Sequence, residues 1–218
     1  MAQETVTVRR LSSGTVELSR DWAAVYELCC RTGNNGEPVA ADRWDFFGRL
    51  WVEPYKIIVP QWTYVAETKN LVVGYLTGCP DTNGFTRTKL WKFSMPLLAD
   101  VVRGHYPGNR DAWRFAKQLL SLEKTPERVF PRRLVVELRH NYPAHLHMNV
   151  EADWRASGIG TKLAEQFFAD LHAAGVPGVH LYCGVPPLKF YEKQGFKNLS
   201  QVLFRGAPVY ALGRRFRD

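Results

Sequence analysis

The pattern of apolar and polar residues predicts a strand and two helices at the start of the chain. Thr5 to Arg9 alternates β-branched with polar residues, as a half-buried strand does. After a turn at Gly14, apolar residues recur at helical spacing from Ser19 to Arg31, and Ser19 is placed to cap that helix. A second, short helix is predicted from Ala41 to Leu50.

The middle of the chain gives one clear signal and one weak signal. Two β-rich apolar runs, Thr63 to Glu67 and Leu71 to Gly78, are separated by polar residues 68–70, which predicts a β-hairpin. Residues 81–142 are less regular and predict two helices. The apolar residues that indicate them are Trp91, Leu97, Leu98, Val101 and Val102, then Trp113, Phe115, Leu119 and Leu120.

The last third of the chain alternates strands and helices, which is typical of an α/β fold. Its longest helix is amphipathic, with Leu163, Phe167 and Leu171 on one side and Gly175 at its end. In order, we predict a strand at Ala144 to Val150, a helix at Thr161 to Ala174, a strand at Val179 to Cys183, a short helix at Pro187 to Gln194, and a hairpin of Leu199 to Phe204 with Val209 to Leu212.

Composition favours one folded domain over residues 1–218. The 218 residues are 45% hydrophobic and 13% aromatic, which excludes a disordered or fibrous chain. The longest apolar runs are too short to cross a membrane. The first residues lack the basic-then-apolar layout of a signal peptide.

The cysteine positions indicate the redox environment of the protein, and the net charge indicates the kinds of ligand that it binds. The four cysteines, at positions 29, 30, 79 and 183, have neither disulfide nor zinc-site spacing, so we expect a reducing cytoplasm and no metal. Lys and Arg number 29 against 21 Asp and Glu, a formal charge of +8. Such an excess fits nucleic acid, an anionic membrane or a phosphate-bearing ligand.

The segment Glu151 to Gly160 joins a predicted strand directly to a predicted helix. A glycine-bearing turn in this position aims unpaired backbone N–H groups at one point, with the helix dipole behind them. That arrangement suits a pyrophosphate. A tight turn that only packs the helix closely on the sheet is the structural alternative, and the spacing matches neither the P-loop nor the dinucleotide fingerprint.

Two motifs in this region resemble the GNAT superfamily of N-acetyltransferases. Arg155-x-x-Gly158-x-Gly160 is similar to the signature that cradles the pyrophosphate of acetyl-CoA, and Phe190-Tyr191-x-x-x-Gly195-Phe196 is similar to a second family segment after the next strand. The resemblance implies a mixed, twisted central sheet flanked by helices. It also implies acetyl-CoA as cofactor. Residues 81–142 are longer than the usual link between these strands in the superfamily, which predicts a helical insertion before the cofactor-binding strand.

A narrower resemblance spans most of the chain. Segments 28–36, 74–81, 142–147 and 177–181 are similar to the acetyltransferase-like domain of O-GlcNAcase and its free-standing microbial relatives. The animal domain lacks the cofactor signature, whereas Arg155, Gly158 and Gly160 are all present here. Cofactor binding is therefore favoured.

The superfamily resemblance assigns the cofactor residues and the general acid. It implies contacts to acetyl-CoA from Met148, Val150, Arg155, Ala156, Ser157, Gly158, Ile159, Gly160 and Thr161. It implies that Tyr191 protonates the departing thiolate, which a free phenol does at a cost of about 2 kcal/mol. Packing of the Tyr191 ring under the cofactor is the structural alternative.

The general base is left open between histidines and carboxylates. His145 and His147 alternate with Leu146 on a strand, so both rings lie on one face, and the pair resembles the histidines of serotonin N-acetyltransferase. Histidines hydrogen-bonded in a half-buried strand are the alternative. Asp81 and Glu137 are the carboxylate candidates, directly or through water.

Residues 81–142 have two interpretations. Their aromatic residues Trp91, Phe93, Trp113 and Phe115 form either a lid over the acceptor site or an extra helical layer with its own small core.

Three functions remain at this stage. The first is acetyl transfer to a small-molecule amine or amino sugar, and the second is a non-catalytic acetyl-CoA-binding or interaction module. The third, a nucleic-acid binder, is suggested by Arg132, Arg133, Arg205, Arg214, Arg215 and Arg217 but lacks any reading motif. We expect no membrane or nucleic-acid partner, and a homodimer is left open.

Overall fold

The structure is a computed structural model, which describes residues 5–11, 15–69 and 71–216. The predicted turn at Gly14, Asn70 of the hairpin turn, and Arg217 lie outside the described residues. The strands are β1 Thr7–Arg10, β2 Thr63–Thr68, β3 Leu71–Cys79, β4 Ala144–Val150, β5 Gly178–Cys183, β6 Lys197–Phe204 and β7 Ala207–Arg215. The helices are α1 Thr15–Thr32, α2 Trp44–Ile58, α3 Thr82–Lys89, α4 Met95–Val102, α5 Arg110–Leu119, α6 Arg132–Asn141, α7 Ile159–Ala173 and α8 Leu188–Lys193.

The strands form a mixed sheet in the order β1-β2-β3-β4-β5-β7-β6. β4 and β5 pair in parallel, with Ala144 opposite Val179 and His145 opposite His180. The pairs β1–β2, β2–β3, β5–β7 and β6–β7 are antiparallel. Both predicted hairpins are present, and the sheet is flanked by helices, which confirms the predicted α/β class.

The chain divides into two compact units. The first comprises Met1–Gly78, Tyr106–Asp111 and His147–Ala169, and the second comprises Cys79–His105, Ala112–Leu146 and Asp170–Asp218. β4 therefore contributes residues to both. The single domain over residues 1–218 stays a prediction.

In the first unit, α1 and α2 are longer than the sequence pattern predicted. α1 begins at Thr15, so Ser19 lies inside the helix and is not its cap, because Leu18 already packs on the core of Trp22 and Val25. α2 continues past the predicted end at Leu50 and through Pro54 to Ile58. Its buried stripe runs on through Val52 and Tyr55, and this packing outweighs the helix-breaking preference of proline.

In the second unit, the region between β3 and β4 is helical. α3 and α4 are joined by a π-helical turn at Leu90–Ser94. α5 comes next, and a short 3-10 turn at Pro126–Val129 separates it from α6. Phe93 and Phe115 are buried, whereas Trp91 and Trp113 are 68% and 58% exposed. The four aromatic residues therefore divide between a small core and the surface.

The arginines near the C-terminus have partners inside the second unit. Arg205 bonds to the Glu123 carboxylate, and Arg214 donates to the Gln194 carbonyl at 2.6 Å. The Arg215 guanidinium lies 5.7 Å from the centroid of the Tyr142 ring. These contacts connect Arg205, Arg214 and Arg215 to other groups of the second unit. Among the described residues, no helix combines the length and apolar content needed to cross a membrane.

Candidate active site

The turn from β4 into α7 has the backbone geometry of an anion site. Ala156 and Gly158 adopt positive φ angles of 62° and 84°. Left-handed residues in a turn direct successive N–H groups toward the same side. The Lys162 N–H makes an early hydrogen bond of α7, to the Gly158 carbonyl at 3.0 Å. The N–H groups that precede it belong to the end of the helix that attracts anions.

Gly158 leaves room for a ligand beside this turn. A Cβ atom at this position would meet nothing within 4 Å, so the space next to the backbone is open. The φ angle of 84° is one that glycine adopts without strain and other residues do not. The open space and the N–H groups fit the pyrophosphate of a CoA ligand.

Arg155 anchors the turn through its side chain. Its Nε donates to the Val150 carbonyl at 3.2 Å, and its Nη2 donates to the Gly36 carbonyl at 2.5 Å. Gly36 has a φ of 96°, and a Cβ there would lie 2.9 Å from Nη1 of Arg155. The guanidinium therefore holds the turn against the loop after α1, and its exposed part adds positive charge beside the N–H groups.

The other predicted cofactor residues lie on β4 and the first turn of α7. Met148 and Val150 are half-buried on β4. The Ser157 hydroxyl donates to the Trp154 carbonyl at 2.5 Å, so it stabilises the turn. Ile159 is buried and belongs to the core, whereas Gly160 and Thr161 are half-buried at the start of α7. Because the Ile159 side chain is buried in the core, only the backbone N–H of Ile159 is left to contact a ligand.

Tyr191 lies on α8 in the second unit and is 8% exposed. Its ring packs edge-on against Phe190 and Phe196, with centroid distances of 5.1 and 5.5 Å. Burial, and then the nearby Cys183 thiol, raises the pKa of the Tyr191 phenol well above its ordinary value. The phenol therefore keeps its proton at neutral pH, as an acid must.

His145 has a defined proton position. The Thr82 hydroxyl donates its hydrogen to the Pro143 carbonyl at 2.6 Å, and its oxygen lies 2.8 Å from Nδ1 of His145. Because that hydrogen is already donated, Nδ1 must be the donor in the second contact. Nε2 of His145 is consequently an acceptor nitrogen. The ring also packs edge-on against Phe85, at 5.1 Å.

His147 lies in the first unit and is held by aromatic side chains. Its ring stacks on Trp51 at 5.4 Å with an interplanar angle of 22°, and the Tyr75 ring lies at 5.9 Å. Burial lowers the pKa of His147 to about 4. Nε2 lies 3.3 Å from Nδ2 of Asn149. The ring is neutral at neutral pH and accepts protons poorly.

Asp81 has a structural role in the second unit. Its two carboxylate oxygens accept from the N–H groups of Asn83 and Gly84 at 3.0 and 3.1 Å, which caps α3. Glu137 is exposed on α6. A part for either carboxylate in proton transfer stays a prediction.

The sequence pattern missed three residues around His147. Asn149, Tyr75 and Trp51 all contact its ring. Asn149 was accessible to pattern reasoning, because residues 147 and 149 of a strand share a face. Trp51 and Tyr75 come from other elements, and no local signal connects them to β4.

Comparisons with known proteins identify the family. No family model matches the chain. The crystal structure of SsHAT, a homologue of the O-GlcNAcase acetyltransferase domain, is 30% identical over 97% of this chain and 98% of that chain, with a TM-score of 0.72. The chain belongs to the GNAT superfamily of acetyltransferases.

More distant GNAT structures share the fold. A Drosophila melanogaster polyamine N-acetyltransferase that forms N-acetylagmatine is 15% identical over 97% of this chain and 100% of that chain, with a TM-score of 0.58. The NatC complex, bound to Gag peptide and CoA, is 15% identical over 97% and 99%, with a TM-score of 0.50. Acetyl-CoA is the usual cofactor of GNAT enzymes. Among the described residues of this GNAT chain, no cluster of three metal-ligand side chains occurs.

Proposed function

We propose that this chain is an acetyl-CoA-dependent N-acetyltransferase that acetylates the primary amine of a small molecule or an amino sugar. The observation that supports it is the turn from β4 into α7, where Ala156 and Gly158 carry positive φ angles at a helix N-terminus. A non-catalytic module would explain this turn. The presence of Tyr191 at the position of the family's general acid favours the enzyme.

The cofactor residues act mainly through their backbone. When bound, acetyl-CoA supplies an acetyl thioester. The N–H groups of residues 156–161 bind its pyrophosphate, and Arg155 keeps their turn in place. A main-chain N–H of β4 between Met148 and Val150 donates to the thioester carbonyl and stabilises the charge that develops on its oxygen.

Tyr191 protonates the thiolate of CoA as it departs. A phenol is protonated at neutral pH at its ordinary pKa near 10, and burial raises the pKa of Tyr191 further. The same burial makes the proton transfer cost more than the roughly 2 kcal/mol of a free phenol.

His145 is the base that takes the ammonium proton. A neutral imidazole is a suitable acceptor at pH 7, and the Thr82 contact fixes the proton of His145 on Nδ1. Nε2 is thereby the proton-accepting nitrogen. Of the two strand histidines, His147 is the weaker base, because burial lowers its pKa to about 4.

The acceptor class follows from the family. Structures with this fold include enzymes described as acting on agmatine and polyamines, so small primary amines are the first group to test. The likeness to SsHAT, and through it to the O-GlcNAcase domain, adds amino sugars.

A thiol-release assay tests the proposal. Purified full-length chain is mixed with acetyl-CoA and a panel of agmatine, polyamines, amino sugars and lysine peptides, and free CoA is measured. We expect amine-dependent release with at least one small amine. Tyr191→Phe should lower kcat at least about tenfold, because general acid–base groups contribute roughly 10²–10⁴-fold. His145→Ala should lower it similarly.

Tyr182→Phe is the matched control. Tyr182 is a half-buried tyrosine of the same unit, and burial raises its pKa to about 12. Its loss should leave kcat within about twofold. Turnover that survives Tyr191→Phe unchanged would remove the acid assignment, and absence of turnover with every amine would favour the non-catalytic module.

A further inference from the structure

A line of polar side chains in the first unit ends at His147. Nδ2 of Asn149 lies 2.9 Å from the Tyr75 hydroxyl and 3.3 Å from Nε2 of His147. Tyr75 is completely buried, and its hydroxyl also hydrogen-bonds to the Cys29 thiol. These four residues, Cys29, Tyr75, Asn149 and His147, are called the polar chain below.

The chemistry of the amide fixes the direction of these bonds. An amide nitrogen carries two hydrogens and donates both, but it does not accept. Nε2 of His147 is therefore the acceptor in its contact with Asn149. A neutral imidazole has one donor and one acceptor nitrogen, so the proton lies on Nδ1.

Packing keeps the His147 ring in this orientation. Trp51 stacks on one face of the ring, and the Tyr75 ring lies at 5.9 Å. The His147 carbonyl accepts from the Thr77 hydroxyl at 3.4 Å, which ties the backbone to β3. Rotation of the ring out of its present plane would break the stack on Trp51.

The surroundings of the polar chain also keep the ring neutral. Within it, the Tyr75 phenol on β3 interacts with the Cys29 thiol on α1, and the Tyr55 phenol on α2 also affects Tyr75. Burial raises the pKa of Cys29 to about 11 and that of Tyr75 well above its usual value, so both are uncharged at neutral pH. Neither supplies a negative charge to an imidazolium, and a proton on Nε2 would point at the N–H of Asn149.

We propose that Asn149, oriented by Tyr75, is a positioning residue that holds His147 as the neutral tautomer protonated on Nδ1. The ring then serves acetyl transfer as an N–H donor and not as the base. The part concerning acetyl transfer rests on the proposed function. The tautomer does not, because it follows from the polar chain alone.

Nuclear magnetic resonance of the ring nitrogens tests the tautomer without any assay. Spectra that correlate ring ¹⁵N with ring protons distinguish a protonated from an unprotonated nitrogen, and His147→Gln identifies the signals of His147 among the six histidines. We expect a protonated Nδ1 and an unprotonated Nε2 that do not change between about pH 5 and pH 8, where an ordinary histidine titrates. A proton on Nε2, or a charged ring at pH 7, overturns the proposal.

Two substitutions and one control test the role of Asn149. Asn149→Asp replaces the donor with a carboxylate that accepts from Nε2–H, so the proton should move to Nε2 and the pKa of His147 should rise. Asn149→Leu should give a mixture of tautomers. Thr77→Val is the control, because Thr77 bonds to the His147 backbone and not to its ring. Unchanged signals in both Asn149 variants, or an equal change in Thr77→Val, overturn the assignment.

The thiol-release assay tests the donor role. His147→Gln keeps a side-chain N–H and should retain roughly tenfold more kcat than His147→Ala, since a lost hydrogen bond corresponds to about that factor. If both variants lose kcat equally, and one limb of the pH–rate profile disappears in both, His147 is the base and the donor role is overturned. If no amine is acetylated, the proposed function fails while the tautomer measurement still decides the role of Asn149.

Discussion

Two histidines on one strand, His145 and His147, carry their protons on Nδ1 but have different side-chain partners. Thr82 accepts from Nδ1 of His145, so the lone pair of that ring lies on Nε2. Asn149 donates to Nε2 of His147, so that lone pair is already engaged. A base must take up a proton near neutral pH, and the lowered pKa of His147 makes it the weaker candidate.

The lowered pKa of His147 predicts a pH-dependent contribution to stability. Its pKa is about 4 in the folded chain and near 6.5 when unfolded, so below pH 6.5 the unfolded state binds more protons. The contribution of His147 to the free energy of unfolding is therefore complete above pH 6.5 and falls as the pH drops toward 4. When the pH is lowered from 7.5 to 5, the free energy of unfolding should fall by about 2 kcal/mol more in the native chain than in His147→Gln.

Urea unfolding of both proteins at the two pH values measures this difference. His147→Gln removes the imidazole and leaves the other ionisable groups, including His180, in place. If both proteins lose equal stability between pH 7.5 and pH 5, His147 is not buried as a neutral ring.

The residues of the turn from β4 into α7 were predictable from the sequence, and the neighbours of His147 were not. Arg155, Gly158 and Gly160 are contiguous, and their meaning depends on a local strand-to-helix turn. Asn149 and Trp51 acquire their role from contacts between β4 and α2, which no local pattern encodes. The pattern likewise treated His145 and His147 as equivalent, because their difference lies in hydrogen-bond partners.

At the scale of elements, the start of α3 organises one side of the second unit. Asp81 caps the helix through two N–H groups, and the next residue, Thr82, orients His145. The carboxylate is thus used for helix stability. A role of Asp81 in proton transfer stays a prediction.

Asparagine and alanine at position 81 separate the two roles. Asp81→Asn keeps an N-cap acceptor and should leave stability within a few tenths of a kcal/mol and kcat unchanged. Asp81→Ala should lose about 1 kcal/mol in urea unfolding. If Asp81→Asn is stable but inactive in the thiol-release assay, the carboxylate takes part in the reaction.

Elements with a regular period were predicted from sequence, and those stabilised by tertiary packing were not. The two hairpins, β4, α7 and β5 follow clear patterns and lie within a few residues of their predicted positions. α2 extends through Pro54 because Val52 and Tyr55 are buried there. Between β3 and β4, exposure of Trp91 and Trp113 weakens the link between apolar residues and a buried helix face.

At the scale of the molecule, the net charge of +8 now has a distribution. Arg205, Arg214 and Arg215 pair with groups of their own unit, and Arg155 lies at the turn that fits a pyrophosphate. The positive charge of Arg155 therefore lies where the proposed CoA ligand would bind.

Calorimetric titration with acetyl-CoA tests the central claim most directly. The native chain should bind, and Gly158→Ala should weaken binding about tenfold, since a residue with a Cβ at positive φ costs roughly 1–2 kcal/mol in the turn. Gly104→Ala is the matched control, because Gly104 has a φ of 80° and equally open surroundings after α4. The Gly104→Ala variant should bind acetyl-CoA with the affinity of the native chain. No binding by the native chain, or equal weakening in both variants, would contradict the account.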